Sequence, residues 1–136
     1  MAIIDTTIWS LYLRRNLKNL SVEERRLRFE LIELIKVGQA VMIGPVRQEI
    51  LTGIKNEEKF ERLRAYLTNF EDAPLTTHDY ENAARFSNLL MPHGVVGTDV
   101  DLLICAAAYR LGARIFTTDP DFVRYAEHLL IKLYRL

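Results

Sequence analysis

Short apolar runs alternate with longer stretches of helical periodicity along this chain, and that alternation restricts the fold more than any other feature. Ala2-Ile3-Ile4, Ala40-Val41-Met42-Ile43 and Arg114-Ile115-Phe116-Thr117 are too short for helices and read as strands. Long amphipathic segments separate them, and strands joined through helices pair in parallel. A further strand is expected at Leu129-Leu130-Ile131 with Leu133. The reading is an α/β fold: one domain over residues 1–136, with a small parallel sheet flanked by helices on both faces.

The helices carry their own punctuation. Asp5-Thr6-Thr7 leads into Ile8, Trp9, Tyr12 and Leu13 at helical spacing. Ser21-Val22-Glu23-Glu24 forms a capping box ahead of Leu27, Leu31, Leu34 and Ile35, and Gly38 stops that helix. Gly44-Pro45 offers an N-cap with proline at the first helical position, before Val46 to Leu51. Asn56-Glu57-Glu58 opens a helix with Phe60, Leu63 and Leu67 inward, and Pro74 to Thr77 marks a weak strand or a bend. Tyr80, Ala83, Ala84, Phe86 and Leu90 predict a fifth helix ended by Pro92-His93-Gly94. Thr98-Asp99-Val100-Asp101 caps a sixth, whose run Leu102 to Ala108 is almost uniformly apolar and should be central. Asp119-Pro120-Asp121 reads as a turn.

With 49% apolar residues in 136, the chain can bury a core without metal or disulfide staples. The one cysteine, Cys105, forms no intrachain disulfide and is assigned to packing on its apolar helix. The longest uncharged run, Phe86 to Thr98, is broken by Asn88, Pro92, Gly94 and Gly97, so no membrane segment is expected. Met1 to Asp5 lacks the basic start of a signal peptide, and a cytoplasmic location is expected. Eighteen cations balance eighteen anions, but between Ser10 and Arg28 six cations (Arg14, Arg15, Lys18, Arg25, Arg26, Arg28) face only Glu23 and Glu24.

In a parallel sheet the C-terminal ends of all strands open onto one edge, where open α/β folds place their sites. Asp5 follows the first strand, Glu49 lies about one turn into the helix after the second, and Asp119 follows Thr117. The helix that begins near Thr98 runs back from that edge, so Asp101, and with it Asp99, returns there. Each acid alone has a plain structural role as a cap, a dipole partner or a turn residue. Their convergence without a lysine or arginine among them has none.

Two carboxylates about 4 Å apart repel by on the order of 4 kcal/mol at an effective dielectric near 20, so such a group needs protons or cations. All-oxygen ligation favours Mg²⁺ or Mn²⁺ over Zn²⁺, and those ions suit phosphodiester hydrolysis.

Asp5-Thr6-Thr7-Ile8-Trp9, Glu49-Ile50-Leu51-Thr52-Gly53, Asp101-Leu102-Leu103-Ile104-Cys105-Ala106-Ala107 and Thr117-Thr118-Asp119-Pro120-Asp121-Phe122 together resemble the four blocks of PIN-domain ribonucleases, more narrowly the VapC toxins. The resemblance covers essentially the whole chain. It implies that Asp5, Glu49, Asp101 and Asp119 hold Mg²⁺ or Mn²⁺, with Thr7 and Thr117 shaping the site. Asp99 and Asp121 are extra acids beside that quartet and stand as supporting candidates. Asp101 is preferred for its Asp-x-x-Ile-x-Ala-Ala spacing, and Asp119 because it follows Thr-Thr. The resemblance further implies a structured RNA substrate such as tRNA or ribosomal RNA, a homodimer, and a small antitoxin that occupies the site, received by apolar grooves between the N-terminal helices. Arg14, Arg15 and Lys18 are weaker candidates for contact with RNA phosphates.

The remaining features point elsewhere or nowhere. Trp9 is expected in the core rather than stacked on a base, and His78, His93 and His128 are isolated in sequence, match no ligand spacing and are expected at the surface. No phosphate-binding glycine loop or nucleophile elbow is present. The competing reading is a non-enzymatic, Mg²⁺-binding phospho-receiver module. It requires an acidic pair at the first strand and a lysine after the last, where this chain has a lone Asp5 and places Lys132 inside the expected final strand.

Overall fold

The computed structural model describes residues 1–136. Its elements are β1 (Ala2–Ile4), α1 (Thr6–Leu13), α2 (Val22–Lys36), β2 (Ala40–Val41), α3 (Gly44–Leu51), α4 (Glu57–Leu67), α5 (Thr77–Leu90), α6 (Asp99–Leu111), β3 (Arg114–Phe116) and α7 (Asp121–Ala126), with single 3₁₀ turns at Leu17–Asn19 and Met91–His93. The three strands are parallel in the order β2-β1-β3, with Ile3 opposite both Val41 and Ile115. Successive side chains of a strand point to opposite faces. Ala2, Ile3 and Ile4 are all fully buried, so helices cover the sheet on both sides.

Helix α6 packs against β1, β3 and α5, and it buries Leu102, Ile104, Cys105, Ala106, Ala107 and Ala108. Cys105 and the alanines have short side chains, which lets the helix axis lie close to the sheet. Trp9 is fully buried and meets Phe70 edge to face, with ring centroids 5.0 Å apart. No helix is long and apolar enough to cross a membrane.

Four features of the chain differ from the sequence reading. Asp119-Pro120-Asp121 does not simply turn but launches α7, whose Phe122 and Tyr125 are buried one helical turn apart. The expected strand at Leu129 to Leu133 reduces to one parallel bridge between Ile115 and Leu133, made by Ile115 N–H to Lys132 O and Tyr134 N–H to Ile115 O. Leu129 is buried and Leu130 exposed there, so the run alternates as a strand would, but it pairs with β3 at that one bridge alone. Ile43, not Gly44, is the N-cap of α3. Finally, His93 and His128, distant in sequence, stack with centroids 3.8 Å apart.

The α5–α6 contact holds a charge that the sequence reading passed over. Asp79 is completely buried, and its carboxylate accepts from Arg110 Nε at 2.8 Å and Nη2 at 2.9 Å and from the Thr76 amide at 2.9 Å, which closes a capping box. Burial alone would push this carboxyl up, but the Arg110 fork and the Thr76 donors outweigh it and hold it below its ordinary value. Removing Arg110 would leave a buried carboxylate alone. Arg110→Met should therefore cost on the order of 3 kcal/mol in urea unfolding at neutral pH. Because the folded carboxyl titrates below the unfolded value near 3.8, the wild-type contribution is complete above that pH and fades below it, and the variant should lack this acid-side loss.

Candidate metal centre at the strand ends

Asp5 is where the sheet ends and the site begins. Its amide donates to Phe116 O at 2.9 Å, one step beyond the β1–β3 ladder, and its side chain caps α1 by accepting from the Thr6 amide at 2.8 Å. The second carboxylate oxygen accepts from the Thr117 hydroxyl at 2.6 Å and the Thr7 hydroxyl at 3.1 Å. Those hydroxyls also accept, Thr7 from the Thr118 amide at 3.1 Å and Thr117 from the Asp119 amide at 2.9 Å. Asp119 Oδ1 in turn accepts from the Asp121 amide at 2.9 Å. A continuous run of hydrogen bonds thus ties the end of β1 to the loop between β3 and α7.

On this frame Asp101, Asp119 and Asp121 each bring a carboxylate oxygen to within 4.8 Å of the others, all half-buried. Asp101 reaches the group from the first turn of α6. The Thr98 hydroxyl caps that helix by accepting from the Asp101 amide at 3.1 Å, while the Asp101 carboxylate turns away and accepts from the Tyr125 hydroxyl at 2.7 Å. Glu49 stands on exposed surface of α3, and its Oε1 accepts from the Thr6 hydroxyl, which places it beside Asp5.

None of these acids forms an ion pair, since every salt bridge in the chain lies elsewhere. Burial pushes the Asp5 carboxyl above its ordinary value; its three hydrogen bonds pull it down and the Glu49 charge adds to the rise. Asp101 is likewise raised, first by burial, against the pull of Tyr125 and Thr98 and with the charges of Asp5 and Asp119 behind it. Burial, with the charges of Asp101 and Asp5 added to it, pushes the Cys105 thiol far up, which leaves it a packing residue.

The other expected residues fall in different places. Asp99 is exposed and lines a groove with Tyr80, Ser87 and Asn88 of α5, apart from the carboxylate group. Arg14 turns onto the end of α3, where it donates to Glu49 O at 3.2 Å and to Ile50 O. Arg15 pairs with Glu24 at 3.3 Å, and Lys18 stands in a 3₁₀ turn without an ionic partner. Sequence reasoning missed Thr6 and Tyr125. The Phe122/Tyr125 spacing was the available signal for the latter, hidden by reading Asp-Pro-Asp as a plain turn.

The PIN-domain family model matches residues 2–128. The chain belongs to the PIN-domain family. Curated relatives include a VapC ribonuclease of Mycobacterium bovis and the ribonuclease VapC11 of Mycobacterium tuberculosis, each 31% identical over 128 residues, covering 90% of this chain and 89% of the relative. Among solved structures, the PIN fold here superposes on FitAcB from Neisseria gonorrhoeae with a TM-score of 0.76 at 19% identity, covering 99% of this chain and 97% of the other. VapBC2 from Rickettsia felis, bound to a promoter DNA fragment, gives 0.70 at 17% identity, with 98% of each chain covered. These two likenesses carry the fold.

The donor set of this PIN domain fits a hard divalent cation: the converging groups are all carboxylates, their charge has no counter-ion in the protein, and no imidazole or thiolate faces them. Since burial already disfavours the ionised form of Asp101, Asp101→Asn should raise the metal-free melting temperature by about 3 °C, the shift that ~1 kcal/mol produces in a chain of this size. Metal-free wild type should lose stability as pH rises from about 3.8 through the raised folded values, and the variant less so. Saturating Mn²⁺ should reverse the order by stabilising wild type alone.

Proposed function

We propose that this PIN domain is a Mg²⁺- or Mn²⁺-dependent endoribonuclease, the toxin of a VapBC-type pair, which cuts structured RNA such as tRNA or ribosomal RNA. The observation that carries the reading is the meeting of several carboxylates without a single cation among them. The names of the curated relatives support the ribonuclease assignment.

Asp5, Asp101 and Asp119 would hold the ion, with Glu49 closing the set from the exposed rim and Asp121 beside it. When bound, the ion supplies the positive charge that makes water a stronger acid and offsets charge growing on the scissile phosphate. The protein's own part is to keep the acids assembled. Thr7 and Thr117 fix Asp5 through two hydroxyl donors, and the Thr117 acceptor contact fixes the start of the Asp119 loop. Thr6 holds Glu49 at the rim. Hydrolysis then joins the water oxygen to phosphorus, breaks the bond from phosphorus to the 3′ oxygen and leaves a proton there, which gives a 5′-phosphate and a 3′-hydroxyl.

Lys18 and Arg15 would meet RNA phosphates, whereas Arg14, which donates to Glu49 O and Ile50 O, holds α3, and so Glu49, in position. An antitoxin segment would lie in the groove of Leu13, Ile54, Leu63 and Tyr66 between α1 and α4, whose basic rim of Arg14, Lys59 and Arg62 adjoins α3. The toxin would act as a homodimer in the cytoplasm.

The purified protein should cut RNA with added Mg²⁺ or Mn²⁺ and stop in excess chelator. Asp5→Asn and Asp119→Asn should each lower the rate by at least about 100-fold, the equivalent of roughly 2.7 kcal/mol of lost transition-state stabilisation. Cutting that persists in chelator, or in both variants, contradicts the proposal.

A further inference from the structure

Two helices of this chain begin with the same arrangement, a threonine N-cap followed three residues later by an aspartate: Thr76 and Asp79 on α5, Thr98 and Asp101 on α6. In α5 the aspartate folds back and accepts from the N-cap amide, which completes the capping box. In α6 the first half forms, Asp101 N–H to Thr98 Oγ1, but the Asp101 carboxylate goes to the Tyr125 hydroxyl. The local chemistry of α6 offers Asp101 a resting place at its own N-cap. The Tyr125 hydroxyl, from another element, takes that carboxylate instead of the Thr98 amide, and Asp101 stands within 4.8 Å of Asp119 and Asp121.

Tyr125 is built for that contact. It is almost fully buried, its ring packs edge to face on Phe122 at 5.2 Å, and its oxygen lies 2.7 Å from Asp101 Oδ2. Gly97, next to the Thr98 cap, makes room for it: a Cβ there would stand 3.3 Å from Tyr125 Cζ and 3.1 Å from Leu102 Cγ. A phenylalanine would fill the same space, so packing leaves the hydroxyl unexplained.

We propose that Tyr125 is a positioning residue of the metal centre, whose hydroxyl keeps the Asp101 carboxylate off the Thr98 amide and beside Asp119 and Asp121. The inference rests on the divalent-ion reading above. Partners that orient a ligand in this way are typically worth 10–100-fold in metal affinity.

The test is a Mn²⁺ titration of the full chain followed by the electron paramagnetic resonance signal of free Mn²⁺, with urea unfolding of the metal-free protein in parallel. Tyr125→Phe should bind Mn²⁺ about tenfold more weakly while its metal-free urea midpoint stays at or above that of wild type, because the released carboxylate can close the Thr98 box. A purely structural tyrosine gives the opposite pattern, a lowered midpoint with affinity within twofold of wild type, and that result overturns the proposal. Gly97→Ala, which keeps the hydroxyl but crowds the ring, should also weaken Mn²⁺ binding; it decides the matter by the same twofold criterion if Tyr125→Phe does not fold. Wild-type protein that binds no Mn²⁺ overturns the metal-centre reading itself, and the role of Tyr125 with it. Tight binding by wild type and variants alike overturns only the role of Tyr125.

Discussion

Two aspartates of this chain are buried, and they are treated in opposite ways. Asp79 receives a guanidinium and a hydrogen bond from the Thr76 amide, donates its own amide to the Thr76 hydroxyl, and has a place between α5 and α6. Asp5 sits at the end of the central strand with hydroxyl and amide donors but no cation. Hydrogen bonds satisfy its lone pairs and leave its charge. The site depends on this one uncompensated carboxylate, because the groups that hold it belong to α1 and to the loop after β3, and they set where Asp119 and Asp121 stand.

The arrangement opposes stability and serves chemistry. Burial and mutual repulsion raise Asp5 and Asp101 above their ordinary values, so the metal-free fold carries a cost that an ion would remove. The covered sheet, the alanine-rich α6 and the Asp79–Arg110 pair supply rigidity from outside the site. Glu49 stands on the exposed rim, held there by Thr6 below and by Arg14 at the helix end.

Much of this was legible in the sequence, because strand and helix periods differ and caps are local. Asp5 after Ala2-Ile3-Ile4, and the apolar α6 with its Thr98 cap, followed from patterns within a few residues, and the parallel sheet followed from their alternation. What escaped notice depends on contacts between distant segments. α7 is six residues long, too short to show a period, and its Asp-Pro start is the signature of a turn. With α7 unread, Asp121 stood only as a supporting acid and Tyr125 as no part of the site. Asp79 carries no signal in the sequence, because the Arg110 that faces it is 31 residues away. The stacking of His93 on His128 likewise joins residues that no spacing rule connects.

Everything else turns on the carboxylates at the strand ends forming a single cation site. A crystal of the protein soaked in Mn²⁺, with diffraction measured for anomalous scattering from manganese, tests it directly. A peak is expected within ligand distance of carboxylate oxygens from Asp5, Asp101 and Asp119. No peak there at saturating Mn²⁺, or a lysine or arginine side chain filling that space, would contradict it.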